Sequence, residues 1–191
     1  MPRKSVVILL LALLLSSATA ALLWRERDAS VQPASASVPF RLIDQDGHAR
    51  SDEDFRGRFV LLYFGYSDCP DACPTTLLRI AGALDKLGPK SASVVPIFVT
   101  IDPARDKPSV LKPYLAEFGQ SFVGLTGTPS AIGKVAHAYG VYFAKHPLAG
   151  GNYSMDHSST IYLLDAQGQF LKTYDGDIGA AALADDLKKV M

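Results

Sequence analysis

A strongly apolar segment, residues 59–64, is followed directly by the only two cysteines of the 191-residue chain and then by a helical pattern. The segment is apolar at odd and even positions alike, which is typical of a strand buried on both faces and so of a central strand in an α/β sheet. Cys69 and Cys73, separated by three residues, stand in the connection from this strand to the helix. The functional interpretation of the chain depends on these two thiols.

The other segments predict alternating strands and helices. Residues 94–101 predict a second buried strand, with a bulge or an edge at Pro96 because proline lacks a donor. Residues 109–118 and 128–139 predict helices, and residues 122–125 and 141–144 predict short strands. Residues 145–157 are rich in turn formers and predict a loop that ends in His157. A strand at 159–165, a hairpin connection into 170–174 and a helix at 179–190 complete the pattern.

Upstream of the central strand, residues 40–50 predict a small hairpin that turns at Asp46-Gly47. The order of elements, with thiols where the first central strand meets its helix, predicts a thioredoxin-like α/β fold. We therefore expect a central mixed sheet flanked by helices, plus an N-terminal hairpin. No internal repeat is evident in the sequence.

The first 37 residues do not resemble the folded part. Arg3 and Lys4 precede an uncharged stretch, residues 6–24, which as a helix would reach about 28 Å and just span a bilayer. The same stretch fits a signal peptide cleaved after the small residues 18–20. We expect residues 1–24 to be a membrane anchor or signal segment, residues 25–37 a flexible linker and residues 38–191 the folded domain. Both readings indicate the bacterial envelope: a single inner-membrane anchor with the domain in the periplasm, or a soluble periplasmic protein after cleavage.

The net charge excludes one class of partner. With 19 basic and 19 acidic residues the formal charge is zero, and no basic stripe stands out. Nucleic-acid binding needs clustered Lys and Arg to contact phosphates. Nucleic acid is therefore not an expected partner.

Pro74 places the thiols relative to the helix. Proline disfavours a helical conformation for the residue before it, so the helix is predicted to begin at Pro74, with Cys73 near its N-cap. The positive end of a helix favours a thiolate there, and a thiolate is what a nucleophile or a metal ligand requires. Two thiolates are an incomplete metal site. Among the four histidines, His157 is the best placed third donor, whereas His137, His146 and His48 are expected to be structural or solvated.

A Cys-Cys-His set suits Cu(I), accepts Cu(II) and is compatible with Zn(II), although structural zinc usually has a fourth protein ligand. Met155 offers either a weak thioether ligand or simple packing. Asp68, Asp71 and Asp156 are expected to accept hydrogen bonds near the site or on the surface. The competing interpretation is a structural disulfide in an oxidising compartment, but so short a loop would be stabilised little by closure.

Three segments resemble the signature segments of the SCO/SenC family: residues 65–74 (GYSDCPDACP), 99–106 (VTIDPARD) and 156–159 (DHSS). The resemblance extends over about residues 38–191 and includes the N-terminal anchor. It implies a thioredoxin-like copper metallochaperone that supports assembly of the binuclear copper centre of cytochrome c oxidase, with the copper-accepting subunit as partner. It also implies that Cys69, Cys73 and His157 are the copper ligands, and it favours an uncleaved anchor. For residues 102–106 we expect loop shaping and partner contact near the metal.

A second function stays open from the sequence. Cys69 and Cys73 are close enough along the chain to cycle through a disulfide, so the protein is also predicted as a possible thiol-disulfide oxidoreductase that reduces the acceptor's cysteines. Whether the chain is an enzyme is thus undecided at this level. A thiol peroxidase has no support, because no single cysteine stands with an activating arginine in the same motif.

Overall fold

The computed structural model describes residues 38–191, which belong to one unit, Pro33–Met191. The predicted anchor or signal segment, residues 1–24, and the predicted linker, residues 25–37, lie outside the described residues. The described strands and helices are β1 (Arg41–Asp44), β2 (Ala49–Ser51), β3 (Phe59–Gly65), α1 (Ala72–Leu87), β4 (Val94–Thr100), α2 (Pro108–Ala116), β5 (Val123–Thr126), α3 (Pro129–Ala138), β6 (Phe143–Pro147), β7 (Tyr153–His157), β8 (Thr160–Leu164), β9 (Phe170–Asp175) and α4 (Ala180–Val190).

The main sheet has seven strands in the order β2-β1-β5-β4-β3-β8-β9. β3 pairs in parallel with β4 and antiparallel with β8, and β4 pairs in parallel with β5. A β3-α1-β4 unit and a β8-β9-α4 unit thus share one sheet, and α1 packs against α4. This arrangement confirms the predicted thioredoxin-like fold with a central mixed sheet.

The central strand is covered on both faces, as its apolar sequence predicts. Every residue of β3 after Phe59 is buried. Tyr63 packs with Phe98, which in turn packs with Tyr114 of α2. The next residue, Phe64, points to the opposite face because side chains alternate along a strand, and there it packs with Tyr139 at the end of α3 and with Tyr162 of β8.

The predicted N-terminal hairpin is confirmed. β1 and β2 pair antiparallel, and Gly47 in their connection has a φ of 86°, a conformation that favours glycine. β1 also pairs antiparallel with β5, which extends the main sheet beyond the thioredoxin-like core. Within residues 38–191, no helix is both long and apolar enough to cross a membrane.

One of the two alternatives predicted for Pro96 is confirmed. Pro96 forms no bulge, since it pairs with Leu61 in an unbroken parallel register. The pairing of β4 with β5 begins only at Ile97, so Pro96 lies at a local edge where one side has no strand neighbour, and a missing donor on that side breaks no ladder bond. The predicted loop at 145–157 is instead a β-hairpin in which β6 and β7 pair antiparallel. The turn-forming residues of this segment occupy the short connection between the two strands. An argument from composition therefore predicted a loop and missed the pairing.

Candidate metal centre

The thiol loop connects the end of β3 to the start of α1. The backbone N–H of Cys73 donates to Sγ of Cys69 over 3.4 Å. Cys73 is fully buried and Cys69 is half-buried, and both are free thiols. The two sulfurs therefore lie on the same side of the loop, the inner one against the core and the outer one towards solvent.

The helix begins earlier than Pro74, which corrects the sequence prediction. α1 starts at Ala72 with Asp71 as its N-cap, and the Thr75 N–H donates to the Asp71 carbonyl over 3.1 Å. Pro74 fits because N–H groups in the first turn of a helix have no partner within the helix. Cys73 consequently lies inside the first turn, and Cys69 in the preceding loop.

His157 is the last residue of β7, on the hairpin rather than at the end of a loop. Its Nε2 lies 3.2 Å from Sγ of Cys73, and its Nδ1 lies 3.0 Å from the Ser158 carbonyl. A carbonyl can only accept, so Nδ1 carries the proton and Nε2 presents its lone pair to the sulfurs. The rings of Tyr63 and Tyr66 contact the imidazole edge-on, at centroid distances of 6.1 and 5.9 Å. The ring is thus oriented before any ligand arrives.

The two thiols differ in acidity because they share one hydrogen bond. Donation from Cys73, with further donation from backbone N–H groups, lowers the pKa of Cys69 to about 3. The same hydrogen bond, together with burial, raises the pKa of Cys73 far above its usual value. The sequence-based expectation of a favoured thiolate at Cys73 was therefore wrong. The thiolate is at Cys69, because the hydrogen bond between the two sulfurs, together with the burial of Cys73, outweighs the position of Cys73 at the helix start.

The ligand atoms of Cys69, Cys73 and His157 all lie within 4.8 Å of one another. Along the described residues, no other His, Cys, Asp or Glu joins this group. Two soft sulfurs and one imidazole nitrogen fit Cu(I) and tolerate Cu(II), whereas a closed structural zinc site would need a fourth protein ligand. The donor chemistry therefore fits copper better than it fits structural zinc.

The other histidines lie apart from the thiols. His137 is exposed on α3, and His48 is 71% exposed in the N-terminal hairpin. His146 is 52% exposed, and its Nε2 lies 2.8 Å from a carboxylate oxygen of Asp156. These positions confirm the expectation that the three are structural or solvated.

The residues considered as weaker candidates have other partners. Asp68 is paired with Arg105 at 2.8 Å, and Asp71 accepts from the Thr75 hydroxyl at 3.3 Å. Asp156 is largely exposed beside His146. Met155 is buried within the hydrophobic core. The three carboxylates thus accept hydrogen bonds near the site or on the surface, as expected.

A second group of possible ligands, Asp44, Asp46 and His48, lies in the N-terminal hairpin and was missed by the sequence analysis. One carboxylate oxygen of the buried Asp44 accepts from the backbone N–H groups of Asp46 and His48, and the other accepts from Arg50. These bonds are those of a hairpin turn. The turn therefore explains why the three side chains lie close together.

The loop after β4 also lies beside the thiols, and its role could not be derived from spacing. Asp106 accepts from the Ser67 N–H at 3.0 Å, from the Ser67 hydroxyl at 2.5 Å and from the Thr100 hydroxyl at 2.6 Å. Arg105 binds Asp68 of the thiol loop and also Asp102 of its own loop. Two sequence signals pointed to this loop: its position at the carboxyl end of a parallel strand, where α/β sheets place their ligands, and its place in the signature segment 99–106.

Comparison with known proteins identifies the family. The SCO1/SenC family model matches residues 28–191. The SCO2-like protein RP587 of Rickettsia prowazekii is 38% identical over 152 residues, which cover 78% of this chain and 74% of that protein. The structure of Bradyrhizobium japonicum ScoI with copper bound is 40% identical, with a TM-score of 0.76, covering 81% of this chain and 99% of that one.

A further solved structure is more distant. BsSco, described as a member of the Sco family of cytochrome c oxidase assembly proteins in which a disulfide switch was identified, is 26% identical. Its TM-score is 0.64, and the match covers 83% of this chain and 95% of that one. Because the family model spans most of the chain, including the thiol loop and His157, the chain belongs to the SCO1/SenC family.

Proposed function

We propose that this protein is a copper metallochaperone that binds one copper ion through Cys69, Cys73 and His157 and passes it to an acceptor. The observation that carries the proposal is the convergence of two sulfurs and an unprotonated imidazole nitrogen within 4.8 Å. A copper-bound family member of 40% identity supports the choice of metal. Copper is the cargo here, so the site must both hold it and release it.

The unequal thiols suit a site that binds reversibly. Metal ligands must be deprotonated. Cys69 meets this condition over the whole neutral range, because its pKa is lowered to about 3 by the hydrogen bond from Cys73. Cys73 must give up its proton when the ion binds, so binding is coupled to proton release. Half-buried Cys69 offers the accessible side on which an acceptor's ligands can replace those of this protein.

The acceptor follows from the family. BsSco belongs to a family of cytochrome c oxidase assembly proteins, and we infer that the partner of this chain is the copper-accepting subunit of that oxidase, with its binuclear copper centre as destination. We further propose residues 1–24 as an inner-membrane anchor, residues 25–37 as a flexible linker and residues 38–191 as a periplasmic copper-binding domain. Cleavage of the first segment would instead release a soluble periplasmic protein.

A metal titration tests the ligand set. The reduced protein is titrated with Cu(I), Cu(II) and Zn(II) as wild type, His157→Ala and His146→Ala. His146 is the matched control because it lies on the partner strand of the same hairpin and is exposed. Loss of a ligand should weaken copper binding by more than the ~10–100-fold that follows loss of a residue supporting a ligand, whereas His146→Ala should bind as wild type does. Unchanged copper affinity and oxidase assembly in His157→Ala would show the proposal to be wrong.

A second candidate function rests on the low pKa of Cys69. In this function the protein is a thiol-disulfide oxidoreductase. The Cys69 thiolate attacks a disulfide of the acceptor and forms a mixed disulfide, and one acceptor sulfur is released as a thiolate. Cys73, after losing its proton, then attacks Cys69 and releases the second sulfur. The acceptor gains two electrons and becomes a dithiol, while this protein becomes a disulfide. The disulfide switch in BsSco supports this alternative.

The redox alternative is tested without metal. The reduced, copper-free protein is mixed with an oxidised peptide that carries the acceptor's two cysteines, and thiol formation is followed. Cys73→Ser should stop at a trapped mixed disulfide, and Cys69→Ser should not react. A wild-type protein that leaves the peptide oxidised would exclude this function but not the metallochaperone.

A further inference from the structure

Arg105 lies where three segments meet: the thiol loop, the loop after β4 and the β6–β7 hairpin. Its Nη1 donates to Asp68 of the thiol loop over 2.8 Å, and its Nε donates to Asp102 of its own loop. The same Nη1 donates to the Tyr153 carbonyl on the hairpin over 2.9 Å. One guanidinium thus joins the segment that carries both thiols to the segment that carries His157.

Tyr153 completes the attachment of the hairpin. The guanidinium carbon of Arg105 lies 3.8 Å from the centroid of the Tyr153 ring. The Tyr153 hydroxyl donates to both carboxylate oxygens of Asp102, at 2.9 and 3.0 Å. The first residue of β7 is therefore held by a backbone bond, a ring contact and a side-chain bond at once.

The attachment reaches His157 along a short strand. Tyr153 begins β7 and His157 ends it. Between them, the Met155 N–H donates to the Tyr66 hydroxyl over 3.4 Å. The Tyr66 ring contacts the His157 imidazole and lies 5.6 Å from the Arg105 guanidinium. Arg105 and Tyr66 thus fasten the strand at its start and middle, and the imidazole is carried at its end.

The contacts require the shape of arginine and not merely its charge. Asp68 and Asp102 both pair with the guanidinium, so Arg105 with its two partners carries no net positive charge. Its Nη2 is buried and has no hydrogen-bond partner in the described part of the chain, as expected of a group held against an aromatic ring. Lysine has no planar fork with which to reach Asp68, Asp102 and a carbonyl together.

We propose that Arg105 is a positioning residue that holds the β6–β7 hairpin against the thiol loop, keeps His157 within reach of the sulfurs and so sets the rate at which copper is released. This inference rests on the proposed metallochaperone function. Loss of the fork frees the hairpin to swing away with the imidazole, and the ion is then left on the two sulfurs, where an acceptor can take it more easily.

The test uses the full chain as wild type, Arg105→Gln, Arg105→Lys and Arg50→Gln. Arg50 is a matched control because its Nε also binds a buried aspartate, Asp44, at 2.8 Å, in the N-terminal hairpin. Hydrogen exchange of the backbone amides of residues 153–157 is measured on the reduced, metal-free proteins. Release of Cu(I) to an excess of a colorimetric Cu(I) chelator is measured on the loaded proteins.

We expect Arg105→Gln to speed both amide exchange and copper release by about tenfold or more, Arg105→Lys to resemble it, and Arg50→Gln to stay within about twofold of wild type. Tyr153→Phe keeps the ring but loses the bond to Asp102, so its rates of amide exchange and copper release should be intermediate. This variant keeps the inference testable if an Arg105 variant fails to fold. Wild-type exchange and release in Arg105→Gln would overturn the inference, as would full rescue by lysine or an equal effect in Arg50→Gln.

The two readouts separate the inference from the function on which it rests. If the wild-type protein bound no copper, the proposed function would fail, and amide exchange would still decide whether Arg105 holds the hairpin. If copper bound with high affinity but Arg105→Gln left the hairpin amides protected, only the role of Arg105 would be wrong.

Discussion

Nε2 of His157 lies 3.2 Å from Sγ of Cys73, although 84 residues separate the two along the chain. The approach is produced by a hairpin outside the main sheet, which brings its last residue to the thiol loop at the end of the central strand. Its consequence is a three-donor site with one thiolate, one protonated thiol and one imidazole lone pair.

Cys69 should react with iodoacetamide at nearly the same rate from about pH 5 to about pH 8, because its pKa is lowered to about 3 by the hydrogen bond from Cys73. An ordinary thiol slows by about tenfold per pH unit below its pKa. Alkylation of each cysteine in the reduced, metal-free protein is followed by peptide mass spectrometry. Buried Cys73 should stay unmodified.

Variants at Cys73 identify the source of this acidity. Cys73→Ser keeps a hydroxyl donor and should keep Cys69 reactive at low pH. Cys73→Ala removes the donor, so the pKa of Cys69 should rise and alkylation should slow as the pH falls. A steep pH dependence in the wild type, or an unchanged profile in Cys73→Ala, would contradict the assignment.

Gly65→Ala should destabilise the protein and displace the inner sulfur. A Cβ at this position would lie 2.8 Å from Sγ of Cys73 and 2.8 Å from Cε2 of Phe98. Both neighbours are fully buried, so we expect a loss of about 1–3 kcal/mol in the free energy of unfolding, measured with urea, together with weaker copper binding.

Gly133→Ala is the matched control for Gly65→Ala. Gly133 lies inside α3, and a Cβ there would meet nothing within 4 Å. Replacing a helical glycine by alanine should raise the free energy of unfolding by about 0.5–1 kcal/mol. Equal effects of the two substitutions would show that the close approach at Gly65 is not what requires glycine.

The ionised carboxylate of Asp186 should add to the free energy of unfolding at neutral pH, and this contribution should disappear in acid. Its carboxylate binds Lys172 at 2.5 Å and accepts from the Tyr174 hydroxyl at 2.8 Å, joining α4 to β9. These bonds hold the pKa of Asp186 below its usual value, and the bond from Lys172 contributes most. A depressed pKa gives stability that is complete above the unfolded-state pKa and is lost as the pH falls through the folded-state pKa.

Asp186→Asn should therefore lower the free energy of unfolding at neutral pH by about 0.5–1 kcal/mol, and the difference from wild type should shrink as the pH falls below about 4. Urea unfolding at several pH values measures it. Asp185→Asn is the control, because Asp185 is 68% exposed and its bond to Lys188 should contribute little. If the difference in the free energy of unfolding between wild type and Asp186→Asn grew as the pH fell, the expected direction of the pH dependence would be wrong.

Met155→Leu should leave copper affinity unchanged. Met155 is buried among hydrophobic side chains, 9% exposed, and leucine conserves its volume at a cost below about 1.5 kcal/mol. Cu(I) affinity and urea unfolding are measured together. A large fall in affinity without a fall in stability would restore the thioether of Met155 as a ligand.

Local patterns were sufficient for most of the fold. The apolar segment at 59–64 predicted a central strand because a strand covered on both faces is apolar at odd and even positions alike. Thr128 and Pro129 predicted the start of α3, and the Thr128 hydroxyl does accept from the Ala131 N–H at 3.1 Å. Pro74 misled the prediction of the helix start, because a proline in the first turn lacks only an N–H that has no partner within the helix, so the helix can begin before it.

The sequence by itself determined that two thiols lie beside a helix start and that strands alternate with helices as in a thioredoxin-like sheet. It also indicated His157 as the third donor, by its position in the chain and by the family resemblance. It could not determine the β6–β7 hairpin, the contact of Arg105 with three segments or the division of charge between the sulfurs. Those depend on burial and on hydrogen bonds between residues far apart in the chain, such as Arg105 with Tyr153 and Cys73 with His157. The tertiary structure alone decided that Cys69 is the thiolate, because it formed the hydrogen bond between the two sulfurs and buried Cys73.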